Sequence, residues 1–152
     1  MKLSKNFSSE ELSRTDDREL LEANQKEALE IPEIKANLTK VANDLLEPIR
    51  TLFKKSVFVH SGYRGRALNE KVGGSKTSQH CLGEAADFHV DGYADAAGLE
   101  KAIYKIRDEL PNLKFGQLLI ENGCLHISLG TKREVAKYSV ATKTKEIISI
   151  GK

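Results

Sequence analysis

The stretch SQHCLGEAAD, residues 78–87, places a histidine and an aspartate on either side of a glycine. Imidazole nitrogen and carboxylate oxygen are both ligands that zinc takes in proteins. Gly83 allows the sharp turn that would bring His80 and Asp87 to one point, since glycine adopts backbone angles that strain other residues. The stretch runs into AADFHV, which has the composition of a buried strand. The residue types alone leave two interpretations open: a metal site, or an ordinary turn that leads into a strand.

A catalytic zinc site uses about three protein ligands and leaves one position for water. His126 is the candidate for the third ligand, because it stands at the start of the predicted strand LHISL, just after the turn-forming pair Asn122-Gly123. A hairpin strand beside AADFHV would present His126 to the same point as the two ligands before it. The predicted group is thus drawn from two separate parts of the chain.

Helical patterns dominate the first part of the chain. Ser8, with Glu11 three residues later, forms a capping-box signature that predicts a short helix. Residues 17–31 are polar and fit either a surface helix or a wrapping arm. After Pro32, apolar residues recur at three- and four-residue steps, which predicts a long amphipathic helix. Pro48 lies inside that pattern, so we expect a kink or a break there.

Strand patterns dominate the second part. The predicted strands are SVFVHS (56–61), AADFHV (85–90), GQLLIE (116–121) and LHISLG (125–130), and two further helices are predicted, RALNEKV (66–72) and DAAGLEKAIYKIRDEL (95–110). Weak alternation over residues 133–152 indicates edge strands. Strand and helix do not alternate regularly, so the pattern predicts an α+β fold with a mostly antiparallel central sheet flanked by helices. We expect one domain over residues 1–152, with a core in about 3–130 and an unassigned tail, 131–152.

Composition excludes several classes of protein. The chain of 152 residues is 39% hydrophobic and 30% charged, which is typical of a globular domain with a real core. A formal net charge of +2, without a long block of like charges, gives no reason to expect nucleic acid as a partner. No apolar run is long enough to span a bilayer. The first residues lack a signal-peptide pattern and the cysteines are few, so we expect synthesis in the cytoplasm.

Residues 78–87 fit the pattern SxHxxGxAxD at every fixed position. This pattern resembles the signature of the D-alanyl-D-alanine carboxypeptidase family of zinc peptidases, and it implies a Hedgehog/DD-peptidase-like fold. SGYRGRALN before the motif and LHISL after it are similar to the family's flanking segments SGYRS…N and WVHIS, in the family's order. LSKNFSSEEL and NLTKVANDLLEPIR resemble the subgroup found in phages and prophages. The resemblance covers roughly residues 3–130.

The resemblance implies that His80, Asp87 and His126 bind a zinc ion, Zn²⁺. It matches Arg64, in SGYR, to the arginine that holds a substrate carboxylate or carbonyl oxygen near the metal. Ser78 would hydrogen-bond to substrate or, as an equal alternative, within its own loop. These residues are the ones on which binding and catalysis would depend.

The sequence departs from the family at the general base. In the dipeptidase branch a glutamate sits three residues before the last histidine, and here that position is Gly123. Other branches place the acid–base residue five positions before it, which here is Glu121. Glu121 ends a predicted strand opposite His126 across a short turn, so we expect it to deprotonate the zinc-activated water and then protonate the leaving nitrogen. An exposed glutamate beside a hairpin turn is the alternative.

Other residues near the motif leave alternatives open. Cys124 stands where the family commonly has tryptophan, and it would be a small buried residue or, less favoured, a thiolate ligand. A redox link between Cys124 and Cys81 is a further alternative. His89 would share the face of Asp87 and support that ligand. His60 is expected to be packed or at the surface, and Asn69 to tie its loop.

These inferences predict a zinc peptidase that hydrolyses peptidoglycan stem peptides containing D-amino acids, either as an endolysin-like endopeptidase or as a D-Ala-D-Ala carboxypeptidase. The substrate class is what the resemblance implies. We expect a monomer whose partner is peptidoglycan peptide, with no nucleic acid and no membrane insertion, acting on the cell wall after release in a phage or prophage lysis setting. The alternatives are a cytoplasmic D-Ala-D-Ala dipeptidase and a non-catalytic phage tail or assembly module that keeps the metal fold.

Overall fold

A computed structural model describes residues 1–75 and 77–151. The helices are α1 (Arg18–Glu30), α2 (Pro32–Lys40), α3 (Glu47–Phe53), α4 (Arg66–Lys71) and α5 (Ala96–Glu109), and the strands are β1 (Val57–Ser61), β2 (Ala85–Val90), β3 (Gln117–Glu121), β4 (Cys124–Ser128), β5 (Glu134–Ser139) and β6 (Thr144–Ser149). Glu11–Ser13 and Gln79–Leu82 form 3₁₀ helices, and Val41–Leu46 form a π-helix. The helices in this part of the chain are too short or too polar to cross a bilayer.

The strands form one sheet in the order β1-β2-β4-β3-β5-β6. Adjacent strands are antiparallel except for β3 and β5, which are parallel. The predicted α+β class and mostly antiparallel sheet are confirmed. Only β6 of the two C-terminal strands is at an edge, because β5 lies between β3 and β6. Val135 of β5 is fully buried in the hydrophobic core, so the core extends past residue 130 into the tail.

The N-terminal capping box forms, although the helix that it opens is short. The Ser8 N–H is 3.2 Å from Glu11 Oε1, and the Glu11 N–H is 3.2 Å from Ser8 Oγ. The ambiguous segment 17–31 is a helix, α1. Its N-cap is Asp17, whose carboxylate accepts two N–H groups of the first turn, and this satisfies donors that have no partner inside the helix.

Of the two outcomes expected at Pro48, a kink or a break, the break is wrong, because α2 and α3 are joined without interruption by π-helical residues. The helix does depart from α-helical geometry at Val41–Leu46, just before Pro48. The N–H of Glu47 donates to the carbonyl of Ala42, five residues earlier. A proline ring inside a regular helix clashes with the carbonyl four residues before it and removes one hydrogen bond. A π-helical turn just ahead of Pro48 changes the positions of those carbonyls, and the helix continues.

The two faces of the sheet carry different residues, since successive side chains in a strand point to opposite faces. Phe88 of β2 and Leu125 of β4 are fully buried in the core. Ile103 of α5 packs into the same core, so helices cover this face. Asp87 and His126 lie at the alternate positions of β2 and β4, on the opposite face of the sheet. The candidate site is on that face.

Candidate metal centre

The three side chains predicted to bind metal converge in the structure. His80, Asp87 and His126 each offer one ligand atom, and these atoms lie within 4.8 Å of one another. His80 Nε2 is 3.2 Å from Asp87 Oδ2, and His126 Nδ1 is 2.8 Å from Asp87 Oδ1. Both histidines are buried. The carboxylate therefore has one imidazole at each of its oxygens.

Each ligand candidate is positioned by a different element. His80 lies in the 3₁₀ helix just before β2, and Asp87 and His126 are directly opposite each other on β2 and β4. Gly83 follows the 3₁₀ helix with φ +71, in the left-handed region. The turn predicted from this glycine is confirmed, and it returns the chain into β2 so that His80 and Asp87 meet.

A carbonyl oxygen contacts each imidazole on the nitrogen that is turned away from Asp87. His80 Nδ1 is 2.6 Å from the backbone oxygen of Gly62. His126 Nε2 is 3.1 Å from Gln79 Oε1. When a histidine donates one ring N–H to a carbonyl, the lone pair of its other nitrogen is free for a metal ion.

The charge of Asp87 also suits a cation. Burial raises the pKa of the Asp87 carboxyl. The hydrogen bonds from His126 and His80 and the charges of these imidazoles lower the pKa by more than burial raises it. The net result is a pKa well below the usual range of an aspartate. The Asp87 carboxyl is therefore ionised at neutral pH.

The donor set fits the metal that the sequence resemblance implies. Two imidazole nitrogens and one carboxylate oxygen are a common protein contribution to catalytic zinc, which keeps a further position open. In the structure the three donors face one another, and each imidazole has a partner that fixes its orientation. The group could therefore hold a divalent metal ion such as zinc.

The three side chains line a cleft of about 560 Å³. The other lining residues come from the segment that follows α4 and from strands β3 and β5. They include Val72, Gly73, Gly74, Ser75, Thr77, Ser78, Gln117, Leu119, Glu121, Asn122 and Tyr138. A pocket of this size accommodates a small ligand or a few residues of a peptide.

Arg64 lies in the same cleft and is tied to the metal group through Ser78. The Arg64 guanidinium donates to Ser78 Oγ at 3.3 Å, and the same oxygen accepts the His80 N–H at 3.2 Å. The backbone N–H of Arg64 also donates to the backbone carbonyl of His80, at 3.0 Å. The turn-stabilising role of Ser78 is confirmed, and it coexists with a contact that orients Arg64.

Glu121 lines the cleft, but its position relative to His126 differs from the prediction. The β3–β4 register places Leu119 opposite His126, and Glu121 opposite Cys124. The two-residue turn is Asn122-Gly123, with φ values of 54 and 78. Glu121 is thus a diagonal neighbour of His126, and diagonal Cα atoms on one face lie about 7–8 Å apart. This spacing leaves room for a water or substrate group between them.

The structure favours an inert thiol at Cys124, because the side chains that it brings together as a group able to hold a metal are His80, Asp87 and His126. Burial, together with the negative charges of Asp87 and Glu121, raises the pKa of the Cys124 thiol to about 12. The thiol is therefore protonated, and it lies 3.5 Å from the Glu121 carbonyl. Cys81 and Cys124 are both free, so no disulfide joins them.

His89 does share the face of Asp87, but its partner is another histidine. His89 Nδ1 is 2.6 Å from His60 Nε2, and the His89 ring stacks on Phe58 with centroids 5.5 Å apart. The expected support of the ligand by His89 is therefore not what the structure shows. Asn69 does tie its loop, because its side-chain amide donates to the Ser75 carbonyl at 2.8 Å.

Sequence reasoning missed Gly62 and Gln79, which contact the two histidines. Gly62 belongs to the SGYR segment, but a glycine carries no side-chain signal for a carbonyl contact. Gln79 occupies a variable position of the SxHxxGxAxD pattern, directly before His80. Its contact with His126 joins residues far apart in the chain, so it becomes visible only once the strands are paired.

Comparison with known families places this geometry in context. A family sequence model described as Peptidase M15 matches residues 5–119, which is most of the chain. The matched stretch includes Arg64, His80 and Asp87, whereas Glu121 and His126 follow it and reach the cleft through β3 and β4. A search of curated proteins finds no significant match.

Proposed function

The chain belongs to the Peptidase M15 family, and we propose that it is a zinc-dependent peptidase that hydrolyses peptidoglycan stem peptides containing D-amino acids. The observation that carries this proposal is the convergence of His80, Asp87 and His126 in a cleft that also holds Arg64 and Glu121. The family supports the peptidase activity. The substrate class rests on the likeness of the motif and its flanking segments to peptidoglycan peptidases.

The proposed chemistry divides between the metal and the residues around it. Zinc held by His80, Asp87 and His126 would lower the pKa of a water to about 7 and polarise a peptide carbonyl. The ionised Asp87 contributes negative charge to the group and keeps both imidazoles in place. The buried surroundings of the two histidines hold the ligand atoms in one arrangement.

Glu121 is the proposed general base. Its carboxylate lies on the cleft face of β3, one diagonal step from His126. In this role it takes a proton from the attacking water and then gives it to the departing nitrogen. The diagonal spacing suits a base that acts on a water placed between itself and the metal group.

Arg64 is the proposed binding residue for a carbonyl or carboxylate oxygen of the substrate. Its guanidinium is held by Ser78, which also caps the 3₁₀ helix that carries His80. A guanidinium fixed in this way can stabilise negative charge that develops on an oxygen beside the metal group. Substrate binding and metal position are thereby linked through one hydroxyl.

The proposed setting is lysis by a phage or prophage, with the enzyme reaching the cell wall after release. This part of the proposal rests on the resemblance of residues 3–12 and 37–50 to the phage-associated subgroup. It makes the wall, rather than a soluble dipeptide, the expected substrate.

Digestion of purified peptidoglycan tests the function directly. New amino groups should appear with zinc present and disappear after chelation, and mass spectrometry of the soluble products would identify the bond that is cut. Hydrolysis of free D-Ala-D-Ala without release from the wall would instead support the dipeptidase alternative. Adsorption to the wall with no release from several wall types would support a non-catalytic module.

A further inference from the structure

We infer that Gln79 is a positioning residue of the metal centre: its side-chain oxygen accepts the Nε2–H of His126 and thereby directs Nδ1 of that ring toward the metal. This inference rests on the proposed zinc site. It adds a residue from the variable part of the SxHxxGxAxD motif and gives its side chain a defined task.

The geometry around His126 carries the argument. Gln79 Oε1 lies 3.1 Å from Nε2, while Nδ1 lies 2.8 Å from Asp87 Oδ1. A nitrogen that ligates a metal must have a free lone pair, so in the metal-bound ring the proton is on Nε2. That proton needs an acceptor, because His126 is only 7% exposed and a buried unpaired donor is costly. Gln79 Oε1 is the acceptor that the fold provides.

The backbone of Gln79 is itself fixed, so its side chain can hold a ring in place. Gln79 is the first residue of the 3₁₀ helix, whose N-cap is Ser78. The Gln79 carbonyl accepts the N–H of Glu84 at 3.1 Å, which closes the turn around Gly83. The side chain then spans from this turn to β4. One residue thus connects the segment that carries His80 with the strand that carries His126.

The two histidines differ in a way that makes the inference testable. His80 is held by the backbone oxygen of Gly62, which no substitution removes. His126 is held by a side chain, so one substitution removes its acceptor and leaves the backbone unchanged. Loss of such a partner of a metal-bound histidine typically weakens metal binding by about 10–100-fold.

The test compares Gln79→Leu and Gln79→Glu with the unaltered protein. Leucine has a similar size but no acceptor, whereas glutamate keeps an oxygen for the Nε2–H. We expect Gln79→Leu to weaken zinc binding about 10–100-fold and Gln79→Glu to stay within about threefold, as measured by competition with a chelator. Gln117→Leu is the matched control, because Gln117 lines the same cleft but donates its amide to Glu134.

Nitrogen-15 NMR of the histidine rings gives a readout that a merely structural role would not change. In the zinc-loaded protein, His126 should show a protonated Nε2 whose hydrogen exchanges slowly. Gln79→Leu should speed that exchange markedly, while Gln79→Glu and Gln117→Leu should not. Unaltered zinc affinity and an unaltered His126 spectrum in Gln79→Leu would overturn the inference. Failure of the unaltered protein to bind zinc would instead overturn the proposed function on which it rests.

Discussion

Asp87 lies directly opposite His126 in the β2–β4 pair, and its Oδ1 is 2.8 Å from His126 Nδ1. In the same register Phe88 is opposite Leu125, and both of these residues are fully buried in the core. A shift by one residue would turn the whole apolar set of a strand to the other face. The packing of the core thus enforces the register that brings the two ligand candidates together.

Glu121→Gln should abolish most peptidase activity without affecting metal binding. The glutamine keeps the size of the side chain but cannot accept a proton, and general-base catalysis contributes about 10²–10⁴-fold to a rate. The measurement is the initial rate of amine release from peptidoglycan, together with zinc affinity. Glu22→Gln, an exposed glutamate of α1, is the control. Full activity in Glu121→Gln would mean that another group is the base.

Gly62→Ala should weaken zinc binding as well as destabilise the fold. A Cβ at Gly62 would lie 2.2 Å from the backbone oxygen of Leu12, so the chain must move, and the carbonyl that holds His80 moves with it. Crowding of this kind costs about 1–3 kcal/mol in the free energy of unfolding. Chelator competition and denaturant unfolding measure the two effects.

Gly92→Ala separates stability from metal binding in that experiment. Gly92 has φ +86 and open space around it, so alanine there strains the backbone without touching the site. It should lower stability and leave zinc affinity intact. Equal zinc affinity in Gly62→Ala and the unaltered protein would contradict the proposed support of His80.

Cys124→Ala should bind zinc as tightly as the unaltered protein. Cys124 lies outside the group of His80, Asp87 and His126 that could hold the metal. Burial and the nearby negative charges raise the pKa of its thiol to about 12, so the thiol is protonated at neutral pH in the metal-free protein. For the same reason Cys124 should resist alkylation by iodoacetamide at pH 8 in the folded protein, as followed by mass spectrometry of peptides. Rapid alkylation of Cys124, or loss of zinc from Cys124→Ala, would instead support the interpretation of Cys124 as a thiolate ligand.

Glu134 should make stability fall in acid. Its carboxylate is buried and contacts Lys145 at 2.7 Å, and hydrogen bonds from Lys145, Gln117 and Lys132 outweigh the effect of burial and lower its pKa to about 2. A lowered pKa in the folded state stabilises the fold above the ordinary glutamate value, near 4.5, and the contribution is lost as the pH falls toward 2.

Denaturant unfolding of metal-free Glu134→Gln tests this dependence. At pH 7 the variant should be less stable than the unaltered protein by about 1–3 kcal/mol, since it loses charged hydrogen bonds. The difference should shrink steadily between pH 4.5 and pH 2. A difference that is independent of pH would show that the carboxylate charge does not contribute.

Much of the fold was predictable because its signals are local. The hairpin at Asn122-Gly123, the strand AADFHV and the turn at Gly83 each follow from a short stretch of residues, and the structure confirms all three. The pattern SxHxxGxAxD likewise marked two ligand candidates that the structure brings together. The α+β class followed from the order of these local patterns.

The features that could not be predicted from the sequence depend on pairing between segments that are distant in the chain. Strand β3 pairs with β5 in parallel, and the residue pattern of a strand does not indicate which other strand it will pair with. This pairing places Tyr138 in the wall of the cleft. The β3–β4 register, which places Glu121 opposite Cys124, depends on where the turn begins. A turn that began one residue earlier or later would give Glu121 a different partner. The contact of Gln79 with His126 becomes visible only after β2 and β4 are paired.

The most direct test of the account is the amount of zinc bound per chain, measured together with hydrolysis of peptidoglycan. We predict one zinc ion per unaltered chain, none after chelation, and recovery of amine release when one equivalent of zinc is returned. His80→Ala, Asp87→Ala and His126→Ala should each lose both the metal and the activity while staying folded. Retention of zinc and of peptide hydrolysis in all three variants would contradict the assignment of this group as a catalytic zinc centre.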